Sequence, residues 1–233
     1  MENIKSTLFV VPTPIGNLED ITLRAIRILQ EADTVVCEDT RQTVKLLSHL
    51  KISKPLISFY TQNQLKRIPQ IISLLKQGKN IALVSDCGTP AISDPGYYLI
   101  KEALNNNITV VPLPGACALI TALVGSGLAT DSFIFLGFLR KKTGKMKKEL
   151  ELAKQTDKTI VFYESPHRIL KTLDVCKEVF GDNANVVLAR ELTKKFEEFI
   201  RGSISEVIGN LSNRQILGEF VVVVSNEQEN LIK

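Results

Sequence analysis

The sequence predicts an α/β protein of two domains, a parallel sheet in the first and a mixed sheet in the second. Short apolar runs rich in branched residues alternate with amphipathic stretches five times in the first half, the pattern of β/α units on a parallel sheet. After Thr130 strands outnumber helices, which suits a mixed sheet. The 233 residues suit one large or two small domains with ample core. The boundary falls near Gly115, giving residues 1–115 and 116–233. No repeat, low-complexity segment or linker interrupts them.

Leu8 to Pro12 is the first strand, and Thr13 to Glu19 a turn-rich loop. Asp20 or Thr22 caps the next helix, whose apolar face is Leu23, Ile26, Ile28 and Leu29. Thr34 to Cys37 is a strand ending in the charged cluster Glu38-Asp-Thr-Arg41. Thr40 or Thr43 starts a helix with Val44, Leu47 and Leu50 at helical spacing. Pro55 to Tyr60 is a strand, and Leu65 to Lys76 a helix stopped by Gly78. Asn80 to Val84 is the fourth strand, Tyr97 to Leu104 a helix, and Ile108 to Val111 the fifth strand.

In the second half Phe133 to Phe138 is a strand, followed by Arg140 to Lys148, with six basic residues and no acid. The helix behind that run reaches about Lys154. Thr159 to Tyr163 is a strand, Ile169 to Val179 a helix ending at Gly181, and Val186 to Ala189 a strand. Phe196 to Arg201 forms a hairpin with it, Ser203 caps a short helix, and Gly218 to Val224 is the last strand.

Hydrophobic content of 44% and charged content of 23% place the chain among globular proteins. A net charge of +4 is compatible with RNA without requiring it. Residues 103–130 carry no charge, but Pro112, Pro114, Gly115, Gly125 and Gly127 break the stretch below the roughly 20 apolar residues of a membrane span. The start Met1-Glu-Asn-Ile-Lys is polar and does not resemble a signal peptide. Four cysteines without Cys-x-x-Cys spacing, and only His49 and His167, argue against a zinc site and for the reducing cytoplasm. Cys37, Cys87 and Cys117, at strand ends, are expected to be small buried fillers.

The stretch Ser85-Asp-Cys-Gly-Thr-Pro-Ala-Ile-Ser-Asp-Pro-Gly96 organises the chemistry. Its 12 residues exceed the about 2–6 that most such connections use, which suggests a binding loop. Loops 12–19, 38–41, 85–96 and 112–118 all leave parallel strands at the same sheet edge, where open α/β sheets bind ligands. None holds a phosphate-binding Gly-x-x-x-x-Gly-Lys or Gly-x-Gly-x-x-Gly pattern. Acidic residues and accessible carbonyls suit a cationic or amphoteric ligand.

Pro12-Thr-Pro-Ile-Gly-Asn-Leu-Glu-Asp-Ile-Thr22, Glu38-Asp-Thr-Arg41, the 85–96 stretch, Tyr163-Glu-Ser-Pro-His-Arg168, Ala189-Arg-Glu-Leu-Thr-Lys194 and Gly218-Glu219 follow one another in order. Together they resemble the ribosomal RNA small subunit methyltransferase I family, a branch of the tetrapyrrole-methylase-like (class III) methyltransferases. The resemblance spans nearly the whole chain. It implies S-adenosylmethionine as methyl donor, 2′-O-methylation of a cytidine ribose in the decoding region of 16S rRNA in the 30S subunit, a cofactor cleft between two α/β domains, and a homodimer. It implies cofactor contacts from Ile15, Asp86, Ile92, Cys117, Ala118, Glu164 and Leu192, many through backbone atoms. The chain departs from the family where Cys87 replaces a small Ala and Ala116-Cys117 replaces Pro-Ser. Cysteine is the poorer donor, so one cofactor hydrogen bond of roughly 0.5–1.5 kcal/mol is at stake.

The sulfonium methyl is already activated, so positioning of the ribose oxygen supplies most of the acceleration, up to about 7–11 kcal/mol. The weakly acidic 2′-hydroxyl also needs a base or a nearby cation. Glu38 or Asp39 is the expected proton acceptor, and Lys194 or Arg41 the expected alkoxide stabiliser. Arg140, Lys141, Lys142, Lys145 and Lys147 are expected to neutralise RNA phosphate, and Arg168 to contact phosphate or the cofactor carboxylate. The rival readings are a precorrin-type tetrapyrrole methylase, whose first loop would carry a Gly-x-Gly-Pro-Gly-Asp-like pattern absent here, and a catalytically inert RNA-binding or ribosome-assembly protein.

Overall fold

Two five-stranded sheets organise the chain, and the computed structural model describes residues 6–225. The first sheet has the order β3 (Leu56–Ser58), β2 (Thr34–Cys37), β4 (Ile81–Leu83), β1 (Thr7–Val10), β5 (Thr109–Pro112), and every pairing is parallel. Helices α1 (Leu23–Glu31), α2 (Thr40–His49), α3 (Gln64–Lys76) and α4 (Tyr97–Asn105) make the crossovers. The sheet is buried on both faces, as parallel sheets are. Leu8, Val36, Ile81 and Leu83 pack with Ile71, Leu75 and Leu99, while Val35, Cys37, Ala82 and Val84 pack with Ala25, Ile28, Leu29 and Leu47.

The second sheet has the order β6 (Phe133–Phe138), β7 (Thr159–Glu164), β10 (Phe220–Val224), β8 (Asn185–Arg190), β9 (Glu198–Ser203). Only β6 and β7 run parallel, so the mixed sheet is as expected. Helices α5 (Ala118–Ser126), α6 (Thr143–Lys154), α7 (Ile169–Phe180) and α8 (Ile204–Ser212) complete this part. Phe162, Leu188 and Val222 meet Met146, Leu150, Leu173 and Val207 in its core. The chain divides into two compact units, with the change between Cys117 and Ala118. Among the described residues no helix is long and apolar enough to cross a membrane.

Local chemistry sets the element ends. The Thr22 hydroxyl accepts the Ala25 N–H and starts α1. Ser203 and Glu206 form a reciprocal capping box on α8. Gly78 and Gly181 follow α3 and α7 at φ +86° and +96°.

Three expectations are corrected. Leu23 is 85% exposed and Ala25 is buried instead, because Leu23 is the first residue of α1 after the Thr22 cap and the inward face of the helix is formed by positions 25, 28 and 29. Val44 is half exposed, whereas Thr43 turns inward with its hydroxyl donating to the Asp39 carbonyl. Phe196 is exposed and precedes β9, because residues 191–197 form a loop with Glu191 and Thr193 in left-handed conformations.

Candidate active site

The loops at the carboxyl edge of the first sheet are laced together by backbone and short side chains. Thr13 and Gly88 exchange backbone hydrogen bonds at 2.9 and 3.0 Å, joining the loop after β1 to the loop after β4. The Thr13 hydroxyl donates to the Ser85 carbonyl at 3.1 Å, and the Cys87 thiol to the Ile15 carbonyl at 3.4 Å. The Asp39 N–H donates to Asp86 Oδ1 at 2.9 Å, which ties in the loop after β2. The Thr89 hydroxyl donates to the Ala116 carbonyl at 3.0 Å, which ties in the loop after β5. The four loops therefore meet as the strand directions require.

Close approach demands small residues here. A Cβ on Gly115 would lie 2.6 Å from Pro12 Cβ. Within the long loop Ala91 and Ser93 take left-handed backbones at φ +68° and +65°, uncommon for residues with a side chain. Between them Ile92 is exposed, while Ile15 is buried beneath Gly88.

This rim is acidic. Burial pushes the Glu38 carboxyl up to about 7, aided by Asp94, Asp86 and Asp39. Burial and the Asp86 charge carry Asp94 to about 6, and burial with the Asp39 charge raises Asp86 as well. Asp39 goes the other way, to about 2, because Arg41 bonds it through the side chain at 2.6 Å and through its backbone N–H. Asp39 is thereby committed to capping α2 and holding Arg41, so Glu38 is the better proton acceptor of the two. Asp94 escaped the sequence reading, although it stands in the Asp-Pro-Gly turn that closes the long loop. Its signal was burial, which the sequence does not display.

Cys87 is exposed and Cys117 half-buried, against the expectation of buried fillers, because both sit in the rim loops rather than in the strands. Among the described residues no group of three His, Cys, Asp or Glu side chains could hold a metal.

In the second unit Glu164 is fully buried at the end of β7. Its Oε1 accepts the Ser165 N–H and its Oε2 the Thr172 hydroxyl, both at 2.7 Å, with Arg168 Nη2 at 3.3 Å. The same guanidinium donates to the Leu139 carbonyl at 3.1 Å, so Arg168 pins a turn. Leu192 is buried between the left-handed Glu191 and Thr193. Lys194 Nζ lies 3.0 Å from Glu191 and 2.8 Å from Glu219. Burial works against its charge, but those two carboxylates outweigh burial and raise its pKa. A Cβ on Gly218, at φ +89°, would lie 2.5 Å from Glu191 Cγ, so this lock needs glycine. Arg140, Lys141, Lys142 and Lys145 are exposed, whereas Lys147 pairs with Glu178 at 2.8 Å.

The comparisons with known proteins agree with this architecture. A family profile described as Tetrapyrrole (Corrin/Porphyrin) Methylases matches residues 7–208. A ribosomal RNA small subunit methyltransferase I of Bacillus subtilis (strain 168) is 52% identical over 224 residues, 95% of this chain and 76% of the relative. One from Hydrogenobaculum sp. (strain Y04AAS1) is 51% identical over 222 residues, 94% of this chain and 96% of the relative. The chain belongs to the ribosomal RNA small subunit methyltransferase I family, within the tetrapyrrole methylases. Members of the wider family share its fold at low identity. A uroporphyrin-III C-methyltransferase from Thermus thermophilus, complexed with S-adenosylhomocysteine, superposes with a TM-score of 0.66 at 15% identity, covering 94% of this chain and 97% of that one.

Proposed function

We propose that this chain transfers a methyl group from S-adenosylmethionine to the ribose 2′-hydroxyl of a cytidine in the decoding region of 16S rRNA. Family membership supports RNA of the small subunit as substrate and S-adenosylmethionine as donor. The observation that carries the chemistry is Glu38, a half-buried carboxyl near neutrality in an acidic rim of small residues.

The residues present fit the cofactor. S-adenosylmethionine carries two positive charges and one negative, so a rim with Glu38, Asp86 and Asp94 attracts it, while phosphate is repelled. Ile15, Asp86, Ile92, Cys117 and Ala118 are the proposed contacts, beside Gly115, which packs on Pro12 too closely to carry a side chain. When bound, the cofactor supplies an activated sulfonium methyl. Glu38, titrating near 7, accepts the proton of the 2′-hydroxyl, because a base near the working pH combines availability with driving force. Lys194, in the second unit, is held charged by Glu191 and Glu219, which take up its charge, so the proposed chemistry rests on Glu38. Arg140, Lys141, Lys142 and Lys145 neutralise phosphates and set register without reading sequence. A homodimer and a cytoplasmic location belong to the same proposal.

The test is transfer of a labelled methyl from S-adenosylmethionine to purified small subunits lacking the modification, with the product mapped by mass spectrometry. A label on one decoding-region cytidine ribose is expected. Glu38→Gln is expected to lower the single-turnover rate roughly 10²–10⁴-fold with cofactor binding retained. A label elsewhere, or an unchanged Glu38→Gln rate, overturns the corresponding part.

A further inference from the structure

The second sheet carries an aromatic cluster that the chemistry above does not use. Along β6, Phe133, Ile134 and Phe135 pair with Thr159, Ile160 and Val161, and the register then shifts so that Phe138 lies opposite Tyr163. Gly137 occupies the irregularity at φ +64°, a backbone that suits glycine. Strict alternation would send Phe138 to the face of Leu136, which packs against the core shared with α6, α7 and α8. The extra residue returns it to the face of Phe135, as a bulge does when it re-aims a side chain. Phe135 and Phe138 both meet the Tyr163 ring edge-on, with centroids at 4.9 and 5.5 Å. Phe138 nevertheless stays 58% exposed.

The chain beyond it is anchored. Leu139 is buried, and its carbonyl accepts the Arg168 guanidinium. The Arg140 N–H donates to Glu149 at 3.3 Å. Arg140, Lys141 and Lys142 therefore project from a fixed turn directly after an exposed ring, with no acid among them.

We propose that Phe138 is a stacking platform for an unpaired RNA base, with Arg140, Lys141 and Lys142 on the neighbouring phosphates. The inference rests on the RNA reading above. An apolar protein partner would bury the ring but would leave three adjacent cations uncompensated. Single-stranded nucleic acid satisfies both, since every base has a π-face and every linkage a negative charge.

Wild type, Phe138→Ala, Phe138→Trp and Lys141→Ala would be titrated with a 16S rRNA fragment spanning the decoding region at several salt concentrations, and separately with S-adenosylmethionine. Phe138→Ala is expected to weaken RNA binding about 5- to 150-fold, with the salt slope and cofactor affinity of wild type. Phe138→Trp is expected to restore binding. Lys141→Ala is expected to flatten the salt slope by about 0.7. Wild-type RNA affinity in Phe138→Ala would overturn the platform and leave the RNA reading standing. Loss of cofactor affinity in that variant would mark a structural role and also overturn it. Failure of the wild type to bind the fragment would remove the RNA reading and the platform together.

Discussion

Replacing Glu38 by Gln should stabilise the fold, chiefly at high pH. Burial and three neighbouring carboxyls raise this group from 4.5 to about 7. Below 4.5 the side chain is neutral in both states and costs nothing. As pH rises, the unfolded chain releases the proton first and the folded chain holds it until about pH 7, so stability is lost through that window. At about 1.36 kcal/mol per pKa unit the upper limit at pH 8 is about 3 kcal/mol. Half exposure and screening reduce this to roughly 1 kcal/mol. For a chain of this size that amounts to about 2–4 °C in melting temperature. Linkage leaves only about a quarter of it at pH 5. Thermal unfolding of both proteins, without cofactor, at pH 5 and pH 8 and constant ionic strength measures the effect. A lower melting temperature for the variant at pH 8, or an equal rise at both pH values, would refute the account of this rim.

The other predictions concern the rim and the buried carboxylate. S-adenosylmethionine should bind more tightly at pH 8 than at pH 5.5, because Glu38 and Asp94 ionise near 7 and 6. S-adenosylhomocysteine, lacking the sulfonium charge, should gain less, and calorimetry showing equal gains would contradict the electrostatic reading. Gly115→Ala places a methyl 2.6 Å from Pro12 Cβ and should cost roughly 1–3 kcal/mol in urea unfolding. Thr172→Val removes a donor 2.7 Å from the buried Glu164 and should cost roughly 2 kcal/mol, with Thr172→Ser retaining most of it. Arg41→Ala should let Asp39 rise from about 2 toward the ordinary carboxylate range, read by NMR titration.

Much of this architecture is written locally. Five apolar runs of strand length, separated by amphipathic stretches, suffice for a parallel first sheet, and parallel strands place their following loops at one edge. Caps at Thr22 and Ser203, and glycines at 78 and 181, mark element ends through bonds made within a few residues. The ordered motifs from Pro12 to Glu219 are likewise contiguous, so the family was legible before any coordinate. What the sequence left open depends on groups far apart along the chain. Glu38 differs from Asp39 because Asp86 and Asp94, about fifty residues on, share its half-buried surroundings while Arg41 takes Asp39. Arg168 reads as a contact for phosphate or the cofactor carboxylate, and only the fold reveals Leu139 and Glu164 beside it. Strict alternation would put Phe138 on the face of Leu136, and the register shift at Gly137 turns it to the other. Periodicity and capping are short-range and survive in one dimension. Dielectric, charge pairing and register are set by which segments are packed together, and only the tertiary structure decides that.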